Sequence, residues 1–451
     1  NNVDVVDYGF IYKEKMNVLR KAFNNFLIFN AKGEIEVFKK ENSYWLEDYS
    51  LYMALKKNFK DKIWLHWPKE YKDRDKNALK KIKDELKIEI EYQNFLQYEF
   101  YKQWKNLKKY ANLKGIKIIG DIPIFVALDS SDIWANNDMF LLDKDKSPLK
   151  VSGCPPDAFS EDGQLWGNPL YDWSFLKKNS YSWWIERVRY SFNQYDIVRI
   201  DHFRGFESYW EIPADAVNAK NGKWQKGPGI DFFNTLERAL GKKDIIAEDL
   251  GFLTPDVKML LRKTKFPGMK VLLFAFDSEH ESDYLPHKYD LNSIAYVGTH
   301  DNETVVGWYE TVSLKDKKYC DEYLKTIKGV TSKEINWKFI EAAWSSKSVV
   351  AIAQIQDFLG LNNLARMNKP STESGNWSWR LNKKLLTKEL AKRMKKLTVD
   401  NSRKVDFDEK YNVKRNTLLE GSNMKLSVED IKKGINKNLL QDFSTKLEYA
   451  E

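Results

Sequence analysis

The sequence predicts an α/β fold, a (β/α) barrel whose buried parallel strands are enclosed by helices and carry large helical and loop insertions. Six short apolar runs each end at a carboxylate: Asp121, Asp201, Glu248, Asp277, Asp301 and Asp357. Continuous runs of Val, Ile, Leu and Phe are typical of strands that are buried on both faces. From Gly115 onward these runs alternate with polar loops and amphipathic helical stretches, which is the pattern of parallel βα units.

The chain divides into three parts by pattern. Residues 1–114 have apolar residues at helical spacing and predict a helical insertion subdomain, whose longest helix runs from about Lys80 to Leu113. Residues 115–403 are expected to form the catalytic barrel, with 122–190, rich in Pro, Asp, Gly and Trp, as an insertion over its mouth. Residues 404–451 are polar and largely unpatterned, so we expect an appended tail outside the catalytic domain.

Composition excludes several classes of protein. No run of 18 apolar residues is present among the 451, so the sequence predicts no membrane span. Two cysteines cannot form a disulfide framework and indicate a reducing, cytoplasmic location. The net charge of +9 comes mostly from lysines interleaved with acids, which is typical of a solvated surface rather than of nucleic-acid binding. Zinc-ligand spacings, Walker loops and dinucleotide fingerprints are lacking, so we expect neither metal nor cofactor.

Residues that end different strands of a barrel converge at one mouth, where the active site is built. Arg199 lies two residues before Asp201, so both side chains share a strand face. The guanidinium can keep that carboxylate ionised, as a nucleophile requires, although a structural ion pair is the alternative. Glu248 ends another run among apolar neighbours, and desolvation should raise its pKa, which suits a general acid. Asp249 is expected to cap a helix.

A third strand end supplies His300, Asp301 and Asn302 in succession, a hydrogen-bonding set suited to a polyol. His202 is likewise adjacent to a strand-end acid. Asp121 and Asp277 have a weaker case. Each residue could bind a ligand or cap the helix that follows, and the sequence does not decide between these two roles.

Aromatic residues make up 14% of the chain, and most must belong to the core. Four tryptophans lie instead in loop-like stretches rich in Gly, Asn and Pro: Trp134, Trp166, Trp377 and Trp379. Rings exposed at a barrel mouth would offer flat apolar faces to sugar rings.

Several motifs resemble known families. VRIDHFRG, IIAEDLG and VGTHDN resemble the three acid-bearing strand ends of the α-amylase clan. Three longer blocks resemble the amylomaltase, or 4-α-glucanotransferase, family: SGCPPDAFSEDGQLWGNPLYDW, GDIPIFVALDSSDIWAN and QDFLGLNNLARMNKPSTESGNWSWR. The resemblance extends from residue 1 to about 400. It implies a (β/α)8 barrel of which this chain supplies strands three to eight, an N-terminally truncated form that we expect to fold poorly or to be inactive alone.

The resemblance also implies roles for individual residues. Asp201 matches the nucleophile, Glu248 the general acid/base and Asp301 the carboxylate that stabilises the transition state. The other residues expected to bind substrate are Asp121, Gln164, Trp166, Arg199, His202, Asp277, His300, Asn302 and Asn368. Of these, Gln164 and Trp166 fall in the family's mobile loop on the acceptor side, and Asn368 in the loop after the last strand.

The expected reaction is transfer of maltooligosyl segments between α-1,4-glucans, which serve as donor and acceptor, through a covalent glucosyl-enzyme. A retaining mechanism of this kind places two carboxyls about 5–5.5 Å apart. If water intercepts the intermediate, the enzyme is an α-glucan hydrolase, which is the nearer alternative. A noncatalytic glucan-binding fragment is the more distant one.

Overall fold

The computed structural model describes residues 4–29, 32–156, 160–251, 253–370, 372 and 374–404. The predicted tail, residues 404–451, lies outside this range apart from Lys404. Within the described residues the strands are β1 (Ile119–Ile122), β2 (Lys150–Cys154), β3 (Gln164–Pro169), β4 (Ile197–Ile200), β5 (Ser208–Pro213), β6 (Lys223–Lys226), β7 (Ile245–Ala247), β8 (Gly268–Val271), β9 (Ser293–Tyr296) and β10 (Val350–Ile352).

Six of these strands run parallel, in two three-stranded sheets with the orders β1-β4-β7 and β8-β9-β10. Two hydrogen bonds connect the ends of β7 and β8, one between main-chain groups and one from a main-chain N–H to a side chain. The Ala247 N–H donates to the Pro267 carbonyl at 3.0 Å, and the Met269 N–H donates to Asp249 Oδ1 at 2.6 Å. Asp249 is therefore a link between the sheets, and the predicted helix cap is wrong, because its helix (Pro255–Thr264) is capped by Thr254.

The strand order curves around a common interior. Arg199 Nε on β4 lies 3.4 Å from Met269 Sδ on β8. The raised pKa of His300, which follows β9, is caused mainly by its hydrogen bond to Asp301, and the charge of Asp121 on β1 adds to it. In a flat sheet with strands about 4.8 Å apart, β1 and β9 would be separated by about 19 Å. The parallel strands must therefore be rolled up, so that their ends face one another.

Helices enclose the strands. In the described residues they are α1 (Tyr8–Phe10), α2 (Met16–Phe29), α3 (Lys32–Glu41), α4 (Ser43–Asn58), α5 (Lys69–Lys72), α6 (Lys76–Glu85), α7 (Lys87–Leu113), α8 (Ser131–Ala135), α9 (Trp173–Lys178), α10 (Ser182–Gln194), α11 (Gly229–Leu240), α12 (Pro255–Thr264), α13 (Val305–Thr311), α14 (Leu314–Thr326), α15 (Ile335–Ser345), α16 (Ile355–Phe358) and α17 (Lys388–Asp400). Among them, none is both long and apolar enough to cross a bilayer.

The N-terminal helices pack through their apolar faces. Phe23 of α2, Ile35 of α3 and Phe95 of α7 form one buried cluster. The single helix predicted from Lys80 to Leu113 is wrong, because Leu86 leaves helical geometry (φ −96°, ψ 12°) and separates α6 from α7.

Trp134 belongs to the hydrophobic core, although the sequence around it has the composition of a loop. Its ring is fully buried in the short helix α8, and its Nε1 donates to the Tyr71 carbonyl at 2.9 Å. The prediction of an exposed ring at the mouth is therefore wrong for Trp134. Ser130 caps α8 by accepting from the Ile133 N–H, and this short helix turns the indole inward.

A third sheet among the described residues is antiparallel and has the order β3-β2-β5-β6. The sequence did not predict it, since β2 and β3 lie in the insertion 122–190 whereas β5 and β6 follow Asp201. Gly153 is required in this sheet, because a Cβ there would lie 2.2 Å from the Gln164 carbonyl oxygen. The sheet holds Gln164 and Trp166 in place on β3.

Candidate active site

Arg199 is the central cation of the site. It is the register partner of Asp121 on the neighbouring strand, and Asp201 follows two residues later on the same face. Its Nη1 donates to Asp121 Oδ2 at 2.6 Å and to Asp201 Oδ1 at 2.9 Å. Burial opposes the charge of Arg199, but Asp121, Asp201 and Glu248 together hold its pKa above the ordinary value. Two carboxylates therefore bond to one guanidinium, and Glu248 adds a third negative charge nearby.

Asp201 does not have the lowered pKa that its ion pair led us to expect. Burial raises the pKa of this carboxyl, and the charges of Asp121 and Asp301 raise it further. Arg199 opposes the shift without cancelling it. The reason is that Arg199 divides its charge between two carboxylates, whereas desolvation acts on Asp201 in full.

Glu248 follows β7 directly and is held by main-chain donors. Its Oε2 accepts from the His202 N–H at 2.7 Å, and its Oε1 accepts from the Leu250 N–H at 2.8 Å. Burial raises the pKa of Glu248 to about 7, with a further increase from the charge of Asp201. The side chain is thus fixed in position and can exchange a proton near neutral pH.

Asp301 has the opposite tendency. Its Oδ1 accepts from Asn368 Nδ2 at 2.6 Å, and its Oδ2 lies 3.3 Å from His300 Nε2. Burial would raise the pKa of Asp301, but these two partners lower it below the ordinary value. The hydrogen bond to Asp301 in turn raises the pKa of His300. Asp301 is therefore the permanent negative charge of the site.

The loop after β10 anchors the Asp301 segment through the main chain. Arg366 Nη2 donates to the Asp301 carbonyl at 2.6 Å, and its Nε donates to the Asn368 carbonyl at 2.8 Å. The Asn368 N–H donates to the His300 carbonyl at 3.0 Å. The sequence analysis missed Arg366, although its position two residues before Asn368 was a usable signal.

His202 lies half-buried beside Glu248 in a left-handed conformation (φ 50°). Burial lowers its pKa to about 3, so the imidazole is neutral. Among the described residues, its buried Nε2 has no hydrogen-bond partner. The ring of Trp166 packs edge-on against it with centroids 4.8 Å apart, and Trp166 Nε1 donates to Gln164 Oε1 at 3.1 Å. His202 therefore presents an unused polar atom beneath an aromatic ring.

With this geometry in place, the chain can be compared with known proteins. Its residues 1–387 match the family model described as 4-alpha-glucanotransferase. The chain belongs to this 4-α-glucanotransferase family. It is 51% identical over 403 residues to a 4-alpha-glucanotransferase of Clostridium butyricum, with 88% of this chain and 81% of that protein covered. The family indicated by the sequence motifs is thereby confirmed.

Other members of the 4-α-glucanotransferase family are also similar to this chain. A 4-alpha-glucanotransferase of Thermus thermophilus is 42% identical over 384 residues, which cover 83% of this chain and 77% of that protein. The amylomaltase from Streptococcus agalactiae in complex with acarbose superposes with a TM-score of 0.85 at 40% identity, covering 88% of this chain and 80% of that one. The predicted α/β fold of the α-amylase clan is confirmed by this neighbour.

Two predicted site residues, Asn302 and Asp277, have surroundings that differ from those expected. Asn302 Oδ1 accepts from the N–H and hydroxyl of Thr299, so it closes the loop that carries Asp301. The apolar run before Asp277 is not one strand, because β8 ends at Val271 and a 3₁₀ turn follows. Asp277 lies in an exposed turn, where it accepts from the Glu279 N–H at 2.8 Å. Ligand contact by Asn302 and Asp277 stays a prediction.

Asp121 and Asp357 complete the six strand-end acids. Asp121 is inside β1 and faces Arg199, so it is not the cap of the following helix. Asp357 belongs to α16, beyond the end of β10, and is fully buried with its Oδ1 accepting from the Val305 N–H at 2.8 Å. Across the residues that the structure describes, no group of three or more His, Cys, Asp or Glu side chains could hold a metal ion.

Proposed function

We propose that this protein transfers segments between α-1,4-glucans by a retaining double displacement. One observation carries the proposal: around the Arg199 guanidinium, Glu248 has a pKa of about 7 while Asp301 has a lowered pKa. Two carboxyls whose environments push their pKa values apart are typical of an acid/base residue beside a charge stabiliser. The family to which the chain belongs supports the same reaction.

In the first step, Asp201 attacks the anomeric carbon of the donor glucan and forms a carbon–oxygen bond to it. The glycosidic bond breaks, and Glu248 gives its proton to the leaving 4-oxygen. Positive charge develops on the sugar ring in the transition state, and the ionised Asp301 stabilises it. The buried Nε2 of His202 is a partner for a sugar hydroxyl in the same subsite.

In the second step, Glu248 removes the proton from the 4-hydroxyl of an acceptor glucan, and that oxygen displaces Asp201 from the sugar. The anomeric configuration is retained after two inversions. Trp166 and Gln164 are proposed to receive the acceptor, because the indole ring covers His202 next to Glu248. A covered acceptor side limits the access of water and favours transfer over hydrolysis.

We also propose a finer description of the fold. The six parallel strands correspond to six of the eight strands of a (β/α)8 barrel, strands three to eight in the family's order. Residues 115–403 form its catalytic domain, and residues 1–114 form a helical subdomain packed beside it. The curvature of the strand order supports this proposal. With two cysteines, the sequence is too poor in cysteine for a disulfide framework, which supports a reducing, cytoplasmic location.

Incubation with maltotriose tests the reaction. A transferase yields glucose together with oligosaccharides longer than the substrate, whereas a hydrolase yields only shorter products. Asp201→Asn should lower turnover by at least about 10⁴-fold and leave maltooligosaccharide affinity nearly unchanged. Shorter products alone would replace the transferase by the hydrolase. Turnover that survives Asp201→Asn would remove Asp201 as the nucleophile, and affinity without any turnover in the unsubstituted chain would indicate a binding protein.

A further inference from the structure

Trp377 combines exposure with a fixed position beside the site. Its ring is 47% exposed, yet one part of it packs against His300 with ring centroids 5.1 Å apart. His300 in turn pairs with Asp301. The indole is therefore separated from the charge-stabilising carboxylate by a single side chain. None of the steps proposed above uses this ring.

The main chain holds Trp377 firmly. Its N–H donates to the Met367 carbonyl at 2.6 Å, and its own carbonyl accepts from the Tyr8 hydroxyl at 2.6 Å. Its φ of 57° is in the left-handed region, which a bulky residue occupies only when its surroundings enforce it. The same loop delivers Asn368 to Asp301, so the ring and the carboxylate are positioned together.

We propose that Trp377 is a stacking platform for a glucose unit of the bound α-glucan, and that it forms a further subsite on the His300 side of the cleavage point. This inference rests on the proposed function. A sugar ring has an apolar face and a rim of hydroxyls, so it can cover the exposed indole while polar groups stay in water. Tyr8, whose hydroxyl donates to the Trp377 carbonyl, is a second exposed aromatic residue next to this position.

The position of Trp377 next to His300 indicates that the molecule covering its ring is the glucan itself. If a glucan bound at Asp301 extends past His300, it meets the exposed ring of Trp377, which is in contact with His300. Trp166 has the corresponding place against His202. The two indoles thus cover two different histidines, each adjacent in sequence to a carboxylate of the site. We assign the acceptor side to Trp166 and the donor side to Trp377.

Substrate length provides the test. Steady-state kinetics with maltotriose and with maltoheptaose are compared for the unsubstituted chain, Trp377→Ala and Trp377→Phe. Trp377→Ala should raise the KM for maltoheptaose about fivefold to tenfold, with kcat nearly unchanged and the KM for maltotriose affected much less. Trp377→Phe should restore most of the affinity. Phe100→Ala is the matched control, since the ring contacts of this exposed residue in the described part of the chain, with Tyr101 and Trp104, lie within its own helix α7.

Two results would overturn the platform. Equal KM values for the unsubstituted chain and Trp377→Ala on maltoheptaose would mean that another molecule or nothing covers the ring. An equal fall of kcat on both substrates, with a shifted pH profile, would show that Trp377 only orients His300. Failure of the proposed function can be distinguished from failure of the stacking platform. If the chain makes no longer oligosaccharides, calorimetric titration of Asp201→Asn with maltoheptaose still measures the platform, and loss of affinity with Trp377→Ala would uphold it.

Discussion

Glu248 and Asp301 are carboxyls of the same site with opposite pKa shifts. Glu248 follows the sheet β1-β4-β7 and accepts two main-chain N–H groups, yet burial raises its pKa to about 7. Asp301 follows β9 of the other sheet and accepts from an amide and an imidazole that can be charged, and its pKa is lowered. Neutral main-chain donors do not offset desolvation here, whereas side-chain partners do.

The difference shows how two carboxyls of one site can favour opposite protonation states, with Glu248 protonated more readily and Asp301 ionised more readily than usual. In the proposed mechanism, Glu248 carries the proton that the leaving oxygen needs near neutral pH, while Asp301 stays ionised and stabilises the oxocarbenium ion. Because the two acids are held by different loops, each environment can be altered separately. The predictions below alter them in order of decreasing effect.

The largest effect is expected from Glu248→Gln. The glutamine cannot donate a proton to the leaving oxygen, so kcat on maltotriose should fall by about 10³-fold. A donor that needs no protonation, α-glucosyl fluoride, should recover most of the rate of the first step. In Asp301→Asn the developing positive charge is unstabilised whatever the leaving group, so the fluoride should not rescue it. Rescue of both variants, or of neither, would remove the distinction between the two acids.

The pH profile tests the same distinction without substitution. Glu248 must be protonated in the first step, so kcat/KM should decline as pH rises through about 7, by about tenfold per unit above it. Asp201 must be ionised, and its raised pKa places the acidic limb above the range of an ordinary aspartate. Because Asp201 and Glu248 interact, the two limbs belong to the pair. A rate that stays constant to pH 9 would contradict the assignment of Glu248.

A smaller effect is expected from Asn368→Ala, which removes one of the two side-chain partners of Asp301. Loss of a hydrogen bond to a charged group costs about 1.5–3 kcal/mol, so kcat/KM should fall about tenfold to hundredfold. The acidic groups of the other sheet are untouched, and the alkaline limb should not move. Asn382→Ala is the control, since this asparagine only caps a short turn at Lys384. Equal losses for both variants would show that Asn368 acts through stability alone.

Features that depend on short spacing were accessible from the sequence. Arg199 meets Asp201 because residues two apart share a strand face, and the raised pKa of Glu248 follows from its apolar neighbours. The family motifs added the membership that the comparisons confirm. Net desolvation of Asp201 was not accessible, since it depends on Arg199 also pairing with Asp121 on another strand.

Features that depend on distant partners were missed. The antiparallel sheet pairs Val151 with Ile212, and no local pattern indicates such a contact. From the sequence, Asp249 resembled a helix cap, but in the structure its carboxylate accepts from the Met269 N–H. Trp134 resembled a loop residue, because the helix that buries it has only five residues. In each case the local sequence is compatible with more than one structure, and tertiary contacts determine which one forms.

The smallest effect concerns Asp357, a fully buried carboxyl that has a raised pKa like Glu248 without facing the site. Its Oδ1 accepts from the Val305 N–H, its Oδ2 has no partner among the described residues, and burial raises its pKa to about 7. Because the folded pKa exceeds the unfolded one, folded Asp357 retains its proton longer, and this group lowers stability as pH rises from about 4 to 7. Asp357→Asn should therefore stabilise the fold at pH 8 by about 1–2 kcal/mol relative to pH 5, measured by urea unfolding. Asp283→Asn, at an exposed aspartate, is the control. Without such a pH-dependent gain, burial alone could not explain a pKa near 7, and the value at Glu248 would need another cause.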